Sequence, residues 1–336
     1  MTSSATAPIP PLELVRRVLR RGFLVIGLFS LGVNILMLTG PLYMLQIYDR
    51  VVTTGHVDTL LALTGIIIVA MLVFTALEAL RTLIAQRVGI WMDGHLAGPA
   101  VMGGIQLAQS GRGGTAQGLR DLTTVRSYLA SPSIFPFFDA PVAPLFLGIL
   151  FIMHPLLGFV ALAGGIVLAG IGLANELLTR KAMREAAGAS SAMLNAADSA
   201  IRNADVITAM GMQNQLAERV SQRSADWREV QKQAGGRSGI MTSVAKGFRL
   251  LLQSIILGTG AWLVIGGEMT PGMMIAGSIM MGRALAPVEQ AIGTWQGLIN
   301  AQAAWQRLKT LLDAVPVSAG GTKLPAPTGH LTASGL

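Results

Sequence analysis

The residues most able to do chemistry in this sequence are single polar groups set in otherwise apolar runs. Asp139 stands in FFDAP, Arg283 and Glu289 in MMGRALAPVEQAI, and Asn34 in a run with no charge at all. A charge in such a run is costly in hydrocarbon and must face protein or water. Pro136, Pro141 and Pro144 surround Asp139, and prolines there interrupt helical hydrogen bonding and leave carbonyls needing partners. Asp139 therefore reads as a hinge or packing group, a contact for something passing through, or an interfacial charge. Arg283 marks either the border of an apolar layer or a path across it, and Asn34 reads as an interhelical donor. Nothing assembles into a catalytic, cofactor-binding or metal-binding constellation. There is no cysteine, which excludes a disulfide scaffold and any Cys-ligated metal, and His56, His95, His154 and His330 stand far apart. No GxxxxGK[ST] occurs, and GRGG at 111–114 has neither a preceding apolar strand nor the lysine that a phosphate cradle requires.

The elements that hold these groups are long and apolar. Hydrophobic residues make up 52% of the 336, charged residues only 12%, and mean hydropathy is +0.58, whereas a soluble domain carries about 25% charged residues. Six spans are expected, at about 22–45, 59–80, 135–153, 155–174, 248–267 and 272–292. Each approaches the roughly 20 residues that cross about 30 Å of hydrocarbon. The sixth is the least apolar, because Arg283 and Glu289 fall inside it.

Arginine and lysine are distributed unevenly between the two sides. Arg16, Arg17, Arg20 and Arg21 precede the first span, Arg81 to Arg126 follow the second, and Arg180 to Lys246 separate the fourth from the fifth. Arg50 is the sole basic residue in the links 46–58, 154 and 268–271. This positive-inside pattern places both termini in the cytoplasm and the short links outside. The net charge of +8 is thereby a matter of topology, and nucleic acid is not an expected partner. The two long basic segments are rich in Ala, Leu, Met, Glu and Arg, so they should continue the spans as helices projecting into the cytoplasm. The expectation is an all-α membrane protein with six transmembrane helices and long cytoplasmic helical extensions.

The stretches NILMLTGPLYMLQIYDRVVTTGHVDTLLALT, LRDLTTVRSYL, FFDAPVAPLFLGILFIMHPLLG and RNADVITAMGM resemble the membrane domain of bacterial type I protein secretion ATP-binding-cassette (ABC) transporters. The resemblance extends over nearly all of residues 12–336, and is to the branch exporting proteases and lipases. Val142 departs from it, because the pattern often has Trp after the proline of the third span. The resemblance implies a type I ABC exporter transmembrane domain over 22–312, preceded by a cytoplasmic segment 1–21 without a peptidase-like domain. Residues 313–336, DAVPVSAGGTKLPAPTGHLTASGL, would be a linker and the start of a nucleotide-binding domain missing from this sequence. ATP and Mg2+ would bind that domain, leaving this chain no cofactor and no hydrolytic activity of its own.

By the same resemblance, one coupling helix should lie near Gly114, Thr115, Gln117, Leu119, Arg120 and Asp121. A second should lie near Ala189, Ser190, Ser191, Met193 and Asn195, where helices returning from opposite directions meet. The alternative is that both are ordinary polar turns. Val206, Ile207, Met210 and Met212 should pack on the next cytoplasmic helix. Pro41 and Gly40 would bend the outer end of span one, Tyr43 and Tyr48 would lie at the interface, and Asp49-Arg50 would stand in water, where they either meet an adaptor or simply end the helix. Implied partners are a second copy in a homodimer, the chain's own nucleotide-binding domain, a periplasmic membrane-fusion adaptor, an outer-membrane channel, secreted protein cargo and the lipid bilayer of the inner membrane. Two other functions stay open: export of lipid or small peptides, and a motorless scaffold or receptor.

Overall fold

The computed structural model describes residues 11–109, 116–313 and 329, and among them there is no strand. Helix α1 (Pro11–Met37) stops four residues before Pro41. That is where a proline ring crowds the carbonyl at i−4 and fails to donate to it. The chain resumes as α2 (Thr39–Gln46), passes through a π-helical turn at Ile47–Val51 and ends in α3 (Val52–Thr54). Gly55 reverses it at φ +67°, a backbone conformation that favours glycine. The 53-residue α4 (Val57–Gln109) follows, and then α5 (Gln117–Leu129).

The proline-rich third segment is segmented as its composition demands. A 3-10 turn at Pro132–Ile134 leads to α6 (Phe135–Asp139), another 3-10 turn at Ala140–Val142, and α7 (Ala143–Met153). His154 is extended, as a residue before proline prefers, and its ring Nδ1 accepts from the Leu156 amide. It thereby caps α8 (Pro155–Arg202). The short α9 (Ala204–Ala209) turns the chain into α10 (Gln213–Ile265), and α11 (Pro271–Asp313) completes it.

Five helical stretches are long and apolar enough to cross a membrane: Glu13–Thr54, Val57–Gln109, Pro132–Met153, Pro155–Arg202 and Gln213–Ile265. The expected sixth, 272–292, is not among them by composition, although it is helical throughout. The physical reason is its position. Helix α11 packs against α2, α5, α7, α8 and α10, so much of its surface meets protein rather than lipid. Gly272, Ala276, Gly277, Ser278, Met280, Met281 and Ala284 are buried along it, small or flexible side chains that let neighbours approach. By contrast Leu24, Leu28, Ile66, Leu72, Ile152 and Ile265 are exposed, as lipid-facing residues are.

The links 46–58, 154 and 266–270 lie at one end of the bundle. The Thr270 hydroxyl and the Gly272 amide donate to Asp49, at 2.6 and 2.8 Å, and His154 Nε2 lies 3.2 Å from Glu268. Beyond the spans, α8 and α10 continue as a long pair. With 48 residues, α8 is about 72 Å long, more than twice the hydrocarbon thickness.

Close approach of α8 and α10 depends on Gly164, where an added Cβ would lie 1.8 Å from Leu252 Cδ2. Leu252 is itself buried and cannot swing into open space. Gly164→Ala is therefore expected to cost about 1–3 kcal/mol through overpacking, read as a lowered Tm in detergent. Gly170→Ala, one and a half turns along the same helix with nothing within 4 Å of its added Cβ, should be neutral or slightly stabilising.

Candidate functional site

Two sites follow from the geometry, a charge network within the bundle and a clamp at its far end. In the first, Arg81 Nη1 of α4 donates to Asp139 Oδ1 and Oδ2 of α6 at 2.9 and 3.2 Å. Asn34 Nδ2 of α1 donates to the same Oδ1 at 2.9 Å and to the Ser30 carbonyl at 2.8 Å. Arg81 also reaches Ser30 Oγ at 3.0 Å and Glu78 Oε1 at 2.9 Å, and its guanidinium lies 4.0 Å from the centre of the Phe135 ring. Arg81 is 4% exposed, so the pair is desolvated and its mutual attraction is strong. Three helices are tied at one point, beside the segment that three prolines have broken.

Asp139 and Asn34 thus meet, as donor and acceptor across helices. Pro141 and Pro144 lie in the 3-10 turn and the first turn of α7 that follow Asp139, so the carboxylate is anchored where the backbone is least regular. Arg81 was not singled out as the partner by sequence. The available signal was charge balance: Asp139 needs a cation, and Arg81 closes the neighbouring span with Glu78 beside it. Removing one member leaves the other charge buried and unpaired. Arg81→Met or Asp139→Ala alone is expected to cost about 3–5 kcal/mol, and the double variant less than the sum. Urea or thermal unfolding of the four proteins in one double-mutant cycle measures this, and additive losses would dissolve the network.

Arg249 of α10 pairs in the same manner with Glu289 of α11. Among the described residues Arg283 has no ion-pair partner. It is exposed, and Met37 Sδ, 3.7 Å from Nη1, is its neighbour. It lies twelve residues along α11 from Pro271. Pro41 is buried in α2 beside the break it causes. Asp49 does not stand free in water, since it caps the start of α11; Arg50 is exposed.

At the far end, α5 is the element that others grip. Gly114 and Thr115 lie outside the described residues, and Gln117 opens α5. Leu119 is exposed, and Arg120 forms an ion pair with Asp198 near the end of α8. Asp121 was expected to meet another domain, but it is 2% exposed and receives Arg307 of α11 at 2.6 and 3.1 Å. A neighbouring helix has taken the carboxylate. Leu122 and Val125 of α5 complete an apolar cluster with Val15, Met92, Leu96, Ala304 and Leu308 from α1, α4 and α11.

The second predicted coupling position is corrected. Ala189, Ser190, Ser191, Met193 and Asn195 lie inside α8, which runs unbroken to Arg202 because Ala-rich sequence favours helix. The chain reverses at 203–212 instead, through Asn203, α9 and Gly211 at φ +64°. There Val206, Met210 and Met212 are exposed rather than packed on α10. Among the described residues no group of three His, Asp or Glu could hold a metal. What the geometry can do is transmit displacement, since α5 is tied by adjacent charges to two long helices.

Burial pushes the Tyr128 hydroxyl of α5 from 10.0 up to about 12, and that hydroxyl has no hydrogen-bond partner. The fold favours the neutral form, so this contribution to stability is present below pH 10 and lost as pH rises through about 12. Tyr128→Phe removes a buried unsatisfied group. It is expected to leave stability unchanged or raise it by about 1 kcal/mol at neutral pH, and to flatten the alkaline loss of Tm.

Comparison with known proteins bears on all of this. The family model described as ABC transporter transmembrane region matches residues 111–286. The type I secretion system ATP-binding protein PrsD of Rhizobium meliloti (strain 1021) is 36% identical over 321 residues, which are 94% of this chain and 55% of that protein. The leukotoxin translocation ATP-binding protein LktB of a Pasteurella haemolytica-like species is 24% identical, over 88% of this chain and 42% of its own length. The alpha-hemolysin translocation ATP-binding protein HlyB of Escherichia coli is 22% identical, over 93% and 45%. The chain spans about half the length of the curated relatives it matches. Its repeated membrane-length helices, its long helical extensions and a family match over more than half its residues converge: this multi-pass membrane chain belongs to the ABC transporter transmembrane region family.

Proposed function

We propose that this chain is the membrane-spanning half of an ATP-driven type I secretion exporter that moves unfolded proteins with C-terminal secretion signals out of the cytoplasm. The observation that carries this reading is the grip on α5, with Arg120 held by Asp198 of α8 and Asp121 by Arg307 of α11. A short helix tied to two long ones turns a push at the bundle's end into movement of spans. ATP and Mg2+ act in a nucleotide-binding domain outside these residues, and α5 with the exposed turn around α9 is where that domain pushes. Gln117, Leu119 and Arg120 belong to this contact. Ser190, Ser191, Met193 and Asn195 belong to the shaft of α8 behind it.

Two copies enclose the path, because one chain's spans are too few to surround an extended polypeptide. The positive-inside distribution supports placement in the inner membrane with both termini cytoplasmic. The turn holding Arg50 then faces the periplasmic adaptor, which leads to an outer-membrane channel. The similarity to PrsD, LktB and HlyB, a secretion protein and two toxin translocators, supports protein as the cargo.

Deleting the full-length gene should remove one or more proteins from the culture medium without altering membrane lipid. Unchanged medium with a lipid export defect overturns the protein assignment. Orientation is read from Arg50→Cys and Arg228→Cys in a chain with no other cysteine here. A membrane-impermeant thiol reagent should reach 50 only from the periplasm and 228 only from the cytoplasm. In the full-length protein, Arg307→Gln is expected to keep ATP hydrolysis while export falls roughly tenfold or more, because a charged hydrogen bond of this kind is worth about 1.5–3 kcal/mol.

A further inference from the structure

Charges within the expected spans are few, and all but one are matched. Glu78 and Asp139 both pair with Arg81, and Arg249 pairs with Glu289. Arg283 has no carboxylate within ion-pair distance among the described residues, although arginine stays protonated in any protein environment. It lies twelve residues along α11 from Pro271, about 18 Å at helical rise. With the edge of a hydrocarbon layer about 30 Å thick taken at the start of α11, Arg283 falls near its middle, too far from either headgroup region for one side chain to reach. Facing lipid there would cost about 3 kcal/mol by insertion measures and more by other estimates. Exposed and unpaired, Arg283 is stable only against water.

Its surroundings form a concave site. A hollow of about 280 Å³ lies between α1, α2, α4 and α11, lined by Met37, Pro41, Tyr43, Met71, Phe74 and Ile279 with Arg283 as its charge. Low-dielectric walls around one fixed cation strengthen its attraction for an anion. A second copy of the chain cannot supply that anion from its own spans, since each carboxylate there is already engaged. The anion must arrive with whatever crosses.

We propose that Arg283 is an anion-binding station on the transport path, and that its ligands are the Asp and Glu side chains of a passing polypeptide. This rests on the exporter reading and deepens it by naming the cargo's chemistry: acidic segments are held transiently at mid-membrane, and basic ones are repelled. Two copies would set two such cations on one path.

The test has two arms, both on the full-length protein in lipid nanodiscs. In the first, Arg283→Cys is treated with a charged, membrane-impermeant thiol reagent beside Ile68→Cys, an exposed position at similar depth on α4. Position 283 should react and 68 should not; equal inertness overturns the station whether or not the protein exports anything. In the second, ATP hydrolysis is followed with hexa-aspartate or hexa-lysine peptide added. The acidic peptide should change the wild-type rate and the basic one should not. Arg283→Gln should need roughly tenfold or more acidic peptide for half the effect, and Arg283→Lys should restore most of the response. An unaltered response in Arg283→Gln overturns the station while leaving the exporter intact. A full-length protein without ATPase activity fails the exporter reading instead, and the labelling arm still decides the position of Arg283.

Discussion

An ion cannot be left alone in hydrocarbon, and the arrangement of this bundle follows from how each charge escapes that state. Asp139 escapes through Arg81 and Asn34, which requires α1, α4 and α6 to meet. Glu289 escapes through Arg249, which requires α10 and α11 to meet. Apolar packing alone specifies helix contact weakly in a membrane, because lipid tails are as apolar as leucine. The pairs give register where packing gives only proximity.

The same logic explains where the backbone is allowed to be irregular. Prolines 136, 141 and 144 divide the third segment into α6, two 3-10 turns and α7. In lipid, carbonyls freed by such breaks have no solvent partner. Here the break is walled by α1 and α11 and pinned by Asp139. The break near Pro41 is similarly covered, with Pro41 buried and Tyr43 bonded to Thr64 of α4 at 2.9 Å.

Sequence alone made the helices legible because apolar runs of membrane length and helix-forming extensions are local properties. The proline breaks were legible for the same reason. Partnerships between charges distant in the chain, such as Asp139 with Arg81 or Asp121 with Arg307, were not, since nothing local says which cation a carboxylate will find. The family resemblance implies that helices meet from opposite directions near 189–195, yet the alanines of that stretch sustain α8 to Arg202. The sixth span was marginal by hydropathy for a physical reason. A helix surrounded by others is not selected for contact with lipid, so its composition carries less of the membrane's signature.

These features bear on how force could travel. Helix α11 is gripped by α5 through Arg307 at one end, is pinned to α10 through Glu289 in its middle, and is capped by Asp49 at the other. It therefore touches both ends of the bundle through specific polar contacts. A displacement of α5 cannot be absorbed locally, because its charged neighbours Arg120 and Asp121 pull on α8 and α11 together. Rotation or sliding of α11 moves Arg283 directly, while the π-helical turn at 47–51 and the break at Leu38 let the start of the helix and the end of the first span follow. Irregular backbone thus sits where the bundle has to give, and ion pairs sit where it has to hold.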